Sequence, residues 1–364
     1  MNIRPNRPVS AIACACCDAT NPSLGRRGLL TGLTAGLLGA ASGAFAQTAG
    51  PARLTDVHHH FIPPFYLEEN RDRIAGSRGG QLSPAWQEWT QEACLRAMDT
   101  HGVATAILSL STPGVWFGDA AAARLTARRC NEYAAAMGQK HPGRFGLFAA
   151  VPLPDPEGSL AEIAYAFDVL KADGIGLLTS YGDKWLGDPV YQPVFAELNR
   201  RKAVVFVHPT TPNCCRSLVP GVIPLVAEVP QDTTRTIASL LFSGAFRRYA
   251  DIRFIFTHAG GTIPMVGGRL TQYGPANMRE TVPDGVEYEL KRLHYDIAGT
   301  AYRSAIAGLT SLIPMSQILF GSDNPYVPVG DTATGMNDVG LSTAALQAIA
   351  RDNAMRLFPR LRTG

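Results

Sequence analysis

Ala203-Val204-Val205-Phe206-Val207-His208-Pro209 sets five consecutive apolar side chains in front of a histidine. A strand with one wet face alternates apolar and polar residues. An unbroken apolar run reads instead as a strand covered on both faces, the situation of a parallel strand lined by helices. Comparable runs lie at 54–58, 104–110, 145–151, 174–178, 204–208, 253–257, 293–297 and 318–320. Between them the periodicity is helical, at 91–101, 120–140, 159–172, 190–201, 233–249 and 301–313, with a last segment at 343–357. Parallel neighbours need a helix-length return path. Eight such units predict an α/β fold, a closed (β/α)8 TIM barrel. No Gly-rich dinucleotide fingerprint follows the first strand, which counts against an open doubly wound sheet. The stretches 59–83 and 209–232 read as long irregular loops after strands, where a barrel carries its active-site loops.

The first 46 residues are of another kind. Arg26-Arg27 precedes a Leu-, Ala- and Gly-rich stretch that ends in Ala44-Phe45-Ala46. Basic region, apolar region and small-x-small site follow in the order of a signal peptide, and the paired arginines suggest the twin-arginine type. The competing reading is a membrane anchor, but the run is shorter and less apolar than the ~20 residues a span needs. Residues 1–46 are therefore expected to be a cleaved leader and residues 47–364 a single barrel domain. The mature protein is then periplasmic or secreted, without stable membrane insertion. Arg4, Arg7, Arg26 and Arg27 against Asp18 account for the whole formal charge of +3. The mature chain is near neutral and carries no basic run that would suit nucleic acid. Cys94, Cys130, Cys214 and Cys215 remain after cleavage, and their scattered placement favours buried thiols over a disulfide framework.

Polar residues at strand ends carry the functional signal. In the first run, Leu54 to His60, residues two apart share a face, which places Asp56, His58 and His60 together and His59 opposite. His208 ends the fifth strand. His258 follows the sixth and opens the flexible stretch Ala259-Gly260-Gly261. Asp323 lies in Gly321-Ser322-Asp323-Asn324-Pro325, a turn off the eighth. Singly, each histidine is explained by structural hydrogen bonding, and the aspartate by turn formation. In a barrel, however, all these strand ends converge on one rim. His101 and His141, at helix ends, read as surface residues that favour the helix dipole.

The pieces Asp56-Val57-His58-His59-His60-Phe61, Val205-Phe206-Val207-His208-Pro209, Thr257-His258-Ala259-Gly260-Gly261 and Phe320-Gly321-Ser322-Asp323 together resemble the amidohydrolase superfamily. The branch resembled is that of aminocarboxymuconate-semialdehyde decarboxylase and related metal-dependent aromatic-acid decarboxylases. Phe148 to Pro156, Gly187-Asp188-Pro189-Val190-Tyr191 and Asp232-Thr233-Thr234-Arg235 are similar to 6-methylsalicylate decarboxylase-like members.

The resemblance implies a mononuclear centre at the C-terminal strand ends with His58, His60, His208 and Asp323 as ligands. The fourth strand ends in Leu178-Thr179-Ser180 and offers no lysine to bridge a second ion. Three imidazoles and a carboxylate suit a borderline divalent ion, zinc first and manganese second, with no organic cofactor. His258 is implied as an acid/base group rather than a ligand, and Asp323 as a second proton carrier. Arg269 matches a substrate-carboxylate arginine that reaches a neighbouring subunit's site, which implies a homodimer; a helix-surface salt bridge is the alternative. Trp116 and Phe117, after the second strand, are candidates for an aromatic substrate wall. The implied reaction is non-oxidative decarboxylation of a small aromatic or unsaturated carboxylic acid. Hydrolysis of a lactone or amide on the same ligands is the alternative.

Overall fold

In a computed structural model, the described residues are 54–77, 82–216 and 218–363. The expected leader and its cleavage site lie outside them. Eight strands follow one another: β1 (Leu54–His60), β2 (Val103–Ser109), β3 (Phe145–Ala150), β4 (Gly174–Leu178), β5 (Val204–His208), β6 (Arg253–Phe256), β7 (His294–Asp296) and β8 (Ile318–Leu319). They pair in sequence order and every pair is parallel. The first and last strands close the sheet on itself. Val57 N–H donates to Phe320 O, Asp323 N–H to His58 O and His60 N–H to Asn324 O, at 3.0, 2.8 and 2.7 Å. Closure satisfies the backbone groups that an edge strand would leave open.

The apolar run in β5 explains both layers. Val205 and Val207 pack outward in the large core beneath the helices, while Val204 and Phe206 pack inward with Val57, Ile107, Phe148, Ile255 and Leu319. Phe148 and Phe206 stack at 5.0 Å inside the barrel, and Phe358, just past the C-terminal helix Asn353–Leu357, meets Phe148 at 5.8 Å.

Local rules set several helix starts. Thr90, Asp119 and Asp155 each accept a backbone N–H of the turn they cap. Asp155 with Pro156 at the first helical position starts that helix three residues earlier than its apolar periodicity suggests, at Pro156–Asp168. The helix expected at 233–249 is two, Glu228–Phe242 and Ala245–Arg248, broken at Gly244, whose φ is +72°. The stretch 59–83 is not a loop: β1 runs to His60 and a helix spans Pro64–Ser77. The stretch 209–232 holds a short turn, Asn213–Cys215, and the start of the Glu228–Phe242 helix. A small hairpin, Ser180–Tyr181 with Lys184–Trp185, follows β4. It turns through Gly182 and Asp183 at positive φ, as a tight hairpin requires.

Cys94, Cys130 and Cys215 are buried free thiols; Cys214 is exposed, against expectation. Among the described residues no helix is long and apolar enough to cross a membrane.

Candidate metal centre

The site begins with an irregularity in β1. Asp56 pairs with Ala106 and His59 with Leu108, so Val57 and His58 together face the single residue Ile107. This β-bulge interrupts alternation. Val57 and His58 both turn inward, His60 follows inward after one step, and Asp56 falls on the outer side beside His59. Asp56 Oδ2 lies 2.9 Å from His59 Nδ1, a contact that strict alternation forbids. The expectation that Asp56 shares a face with His58 and His60 is thereby corrected. Asp56 also accepts from His58 N–H, Ser322 N–H and Ser322 Oγ, at 3.0, 3.0 and 2.5 Å, which ties β1 to the turn bearing Asp323. His59 points away, with Nε2 3.2 Å from Cys94 Sγ.

Three histidines converge, each with its Nδ1 occupied. His58 Nδ1 donates to Asp296 Oδ2 at 3.0 Å, His60 Nδ1 to Ser109 O at 3.1 Å and His208 Nδ1 to Pro209 O at 2.8 Å. That assigns the proton to Nδ1 in each ring and leaves the Nε2 lone pairs facing inward. His58 Nε2 and His60 Nε2 are 3.0 Å apart, and they lie 3.2 and 3.0 Å from Asp323 Oδ1. Three lone-pair atoms thus crowd together with no hydrogen to share, and Asp323 Oδ1 is buried without a donor. A cation resolves that conflict: ligand atoms at 2.0–2.1 Å from one ion stand roughly 3 Å apart. His208 adds the fourth atom, and all four lie within 4.8 Å of one another. The residues present fit a single divalent metal site.

Electrostatics agree with that reading. Burial, then the neighbouring imidazoles, holds His208 well below its ordinary value, and burial lowers His60, so both stay neutral. Burial alone would raise the Asp323 carboxyl, but His58 and the other imidazoles outweigh it and hold it well below the usual carboxylate range. His58 is opposed by burial, yet Asp296 and Asp323 carry it up to about 10. The same carboxylates that favour a positive charge on His58 would favour a cation held by His58, His60, His208 and Asp323.

His258 stands just outside the four. Its Nε2 is 3.5 Å from Asp323 Oδ2 and its Nδ1 3.0 Å from Thr257 Oγ1. The turn that presents it packs closely against its neighbours. His258, Ala259, Gly260 and Gly261 all have positive φ, and a β-carbon at Gly261 would collide with the Pro230 carbonyl oxygen. Asp323 too has a positive φ, +66°. Non-glycine residues in this region are costly, and three of the six among the described residues, His258, Ala259 and Asp323, lie at the candidate site.

Asp296, at the end of β7, was missed from sequence. One carboxylate oxygen takes His58 Nδ1–H, and the other takes the backbone N–H groups of His258 and Ala298 at 3.1 and 3.0 Å. Its only sequence signal is a carboxylate within Leu293-His294-Tyr295-Asp296-Ile297-Ala298, an otherwise closed strand.

A small cleft adjoins His208, lined by Leu110, Gly114, Val115, Leu178, Tyr181 and Phe206 among others. Trp116 and Phe117 are not part of this wall. Both are half-buried, and the Phe117 ring lies beneath the Arg73 guanidinium, 5.4 Å away. Arg269 is exposed on the helix Ile263–Gln272. It lies over its own neighbour Tyr273 at 4.9 Å and makes no ion pair among the described residues, so the salt-bridge alternative does not hold.

The sequence matches the family model described as amidohydrolase over residues 55–360. The chain belongs to the amidohydrolase family. Among amidohydrolase relatives, the 6-methylsalicylic acid decarboxylase of Aspergillus aculeatus is 36% identical over 326 residues, spanning 84% of this chain and 96% of that one. A crystal structure described as an amidohydrolase II superposes with a TM-score of 0.78 at 29% identity, covering 84% and 99% of the two chains. A dihydroxybenzoic acid decarboxylase from Polaromonas, solved with manganese and 2-nitroresorcinol, shares the fold at a TM-score of 0.74 and 22% identity, over 85% and 98%.

Proposed function

We propose that this protein is a metal-dependent, non-oxidative decarboxylase of a small aromatic acid of the hydroxybenzoate type. The observation that carries it is the meeting of His58, His60 and His208 Nε2 with Asp323 Oδ1, with His258 beside the second Asp323 oxygen. The full-length likeness to a 6-methylsalicylic acid decarboxylase supports the reaction class. His58, His60, His208 and Asp323 would hold one divalent ion. The donor set suits zinc, and the manganese of the Polaromonas relative makes that ion the second candidate. When bound, the ion supplies Lewis-acid stabilisation of negative charge on substrate oxygens.

The chain's own residues then have a proton to move. The ring carbon that bears the carboxylate must gain a proton as its bond to CO2 breaks. His258 is the donor, with Nε2 turned to the centre and Nδ1 fixed by Thr257. Asp323 stays ionised and orients that imidazole through Oδ2. After CO2 leaves, His258 regains its proton from solvent, and no redox partner is needed. The test is CO2 release from a panel of hydroxybenzoates and unsaturated semialdehyde acids by metal-loaded protein. Lactone or amide turnover without CO2 would replace this reading with the hydrolase.

The leader reading leads to export by a twin-arginine-type signal at residues 1–46, and the family match starting at residue 55 is compatible with it. Exported material should begin at Gln47 on N-terminal sequencing; material starting at Met1 rejects cleavage. Arg269, exposed on its helix and stacked over Tyr273, is proposed to serve a partner subunit's site in a homodimer. Light scattering of the purified protein tests that state.

A further inference from the structure

The segment that follows β4 is bound to one helix along its whole length, for reasons the metal centre does not use. On the helix Glu228–Phe242, residues Asp232, Thr236 and Ser239 recur at helical spacing on one face. Asp232, fully buried, accepts from Thr179 Oγ1, from Trp185 Nε1 at 2.7 Å and from Ser180 Oγ at 3.4 Å. Thr236 Oγ1 donates to Thr179 O at 2.8 Å and accepts from Leu186 N–H at 3.4 Å. Ser239 Oγ accepts from Gly187 N–H at 3.1 Å. The approach at Gly187 is backbone to backbone, since a β-carbon there would collide with the Ser239 carbonyl. The nearest cation to Asp232 is Arg235, with Nη1 3.9 Å away, so hydrogen bonds from the hairpin are the main compensation for its burial.

Ser180 turns toward Asp232, and Tyr181, next along the strand, turns to the opposite face. Tyr181 lines the cleft with Leu178 and His208, which are register partners across β4 and β5. Its phenol oxygen accepts the Leu178 N–H at 2.9 Å, past the last residue at which β3 pairs with β4. Among the described residues no acceptor takes the phenol's own hydrogen. Apart from His208, the side chains around it in the cleft are apolar.

We propose that Tyr181 contacts the bound acid, its hydroxyl donating to a substrate carboxylate oxygen, and that Asp232 is the positioning residue that holds the hairpin carrying it. Burial raises the phenol's pKa, so it remains a donor at neutral pH. A single neutral donor in an apolar cleft is most effective toward a charged acceptor. This rests on the decarboxylase reading for the class of ligand, not for the roles of the metal ligands.

Binding to the metal-loaded protein separates the two. Titration calorimetry would compare a hydroxybenzoate with the phenol formed by its decarboxylation, for the wild type, Tyr181→Phe, Asp232→Asn and the double variant. The hydroxybenzoate is expected to lose about tenfold in affinity in Tyr181→Phe, and the phenol to be unchanged. Asp232→Asn is expected to lower the same ratio, and the double variant to lose no more than Tyr181→Phe alone. Equal losses for both ligands, or none, would make Tyr181 a cap for Leu178 and overturn the proposal. Additive losses would overturn the role of Asp232. Wild-type protein that binds no hydroxybenzoate overturns it together with the decarboxylase reading. Intact binding with no CO2 release sinks only the latter.

Discussion

Asp296 and His58 share a hydrogen bond of 3.0 Å that fixes which imidazole nitrogen faces the candidate metal centre. The same carboxylate receives His258 N–H, so one buried side chain orients both a proposed ligand and the proposed acid/base residue. Such outer partners tune metal affinity through the ligand they hold. In Asp296→Asn the side-chain NH2 can face Nδ1 and favour the tautomer that blocks Nε2. Metal affinity should fall by 10–100-fold, read as metal retained after dialysis against graded chelator. Unchanged retention would remove Asp296 from the centre.

His208 and His258 should separate binding from chemistry. His208→Ala removes one of four convergent donors, and the protein should lose its metal. His258→Ala leaves all four in place, so metal content should hold while turnover falls by about 10²–10⁴-fold. Elemental analysis beside CO2 release decides it. Equal occupancy in the two variants would refute the division of roles.

The strands and four polar residues at their ends were legible because each signal is local: an apolar run, then His or Asp. His58, His60, His208 and Asp323 need only a barrel to meet. What was illegible depends on partners far away in sequence. The bulge at Val57 and His58 arises from pairing with Ile107, and alternation within β1 cannot show it. Asp296 acts on His58 across 238 positions. The hairpin after β4 consists of two-residue strands that bond Asp232 of a later helix, with Thr236 and Ser239 of the same helix bonding the residues on either side. Trp116 and Phe117 are singled out by aromatic character and their place after the second strand, whereas Gly114 and Val115 of the same loop line the cleft.

Asp56 should be a stability residue. It is fully buried and takes four hydrogen bonds, from His58 N, His59 Nδ1, Ser322 N and Ser322 Oγ. Asp56→Ala leaves those donors unsatisfied and should cost on the order of 3–5 kcal/mol in urea unfolding. Asp56→Asn retains an acceptor and should cost less. Because Asp56 also anchors Ser322 next to Asp323, metal retention should weaken in parallel. A loss of metal with undiminished unfolding free energy would contradict this ordering.

His294 should govern part of the acid limb of stability. Burial, with smaller contributions from Arg253 and Arg356, lowers it from 6.5 to about 4, and its Nδ1 is buried without a partner. Between about pH 4 and 6.5 the unfolded chain therefore binds a proton that the folded chain refuses. Stability rises with pH across that window: the contribution is complete above about 6.5 and is lost as pH falls toward 4. The full shift corresponds to roughly 3 kcal/mol as an upper bound. His294→Gln carries no such proton, so its stability should decline less between pH 6.5 and 4 than that of the wild type. Taking the difference between the two proteins cancels the protonation of the histidines at the candidate metal centre, which both share. Parallel stability–pH curves from denaturant titrations would show that His294 is not the group responsible.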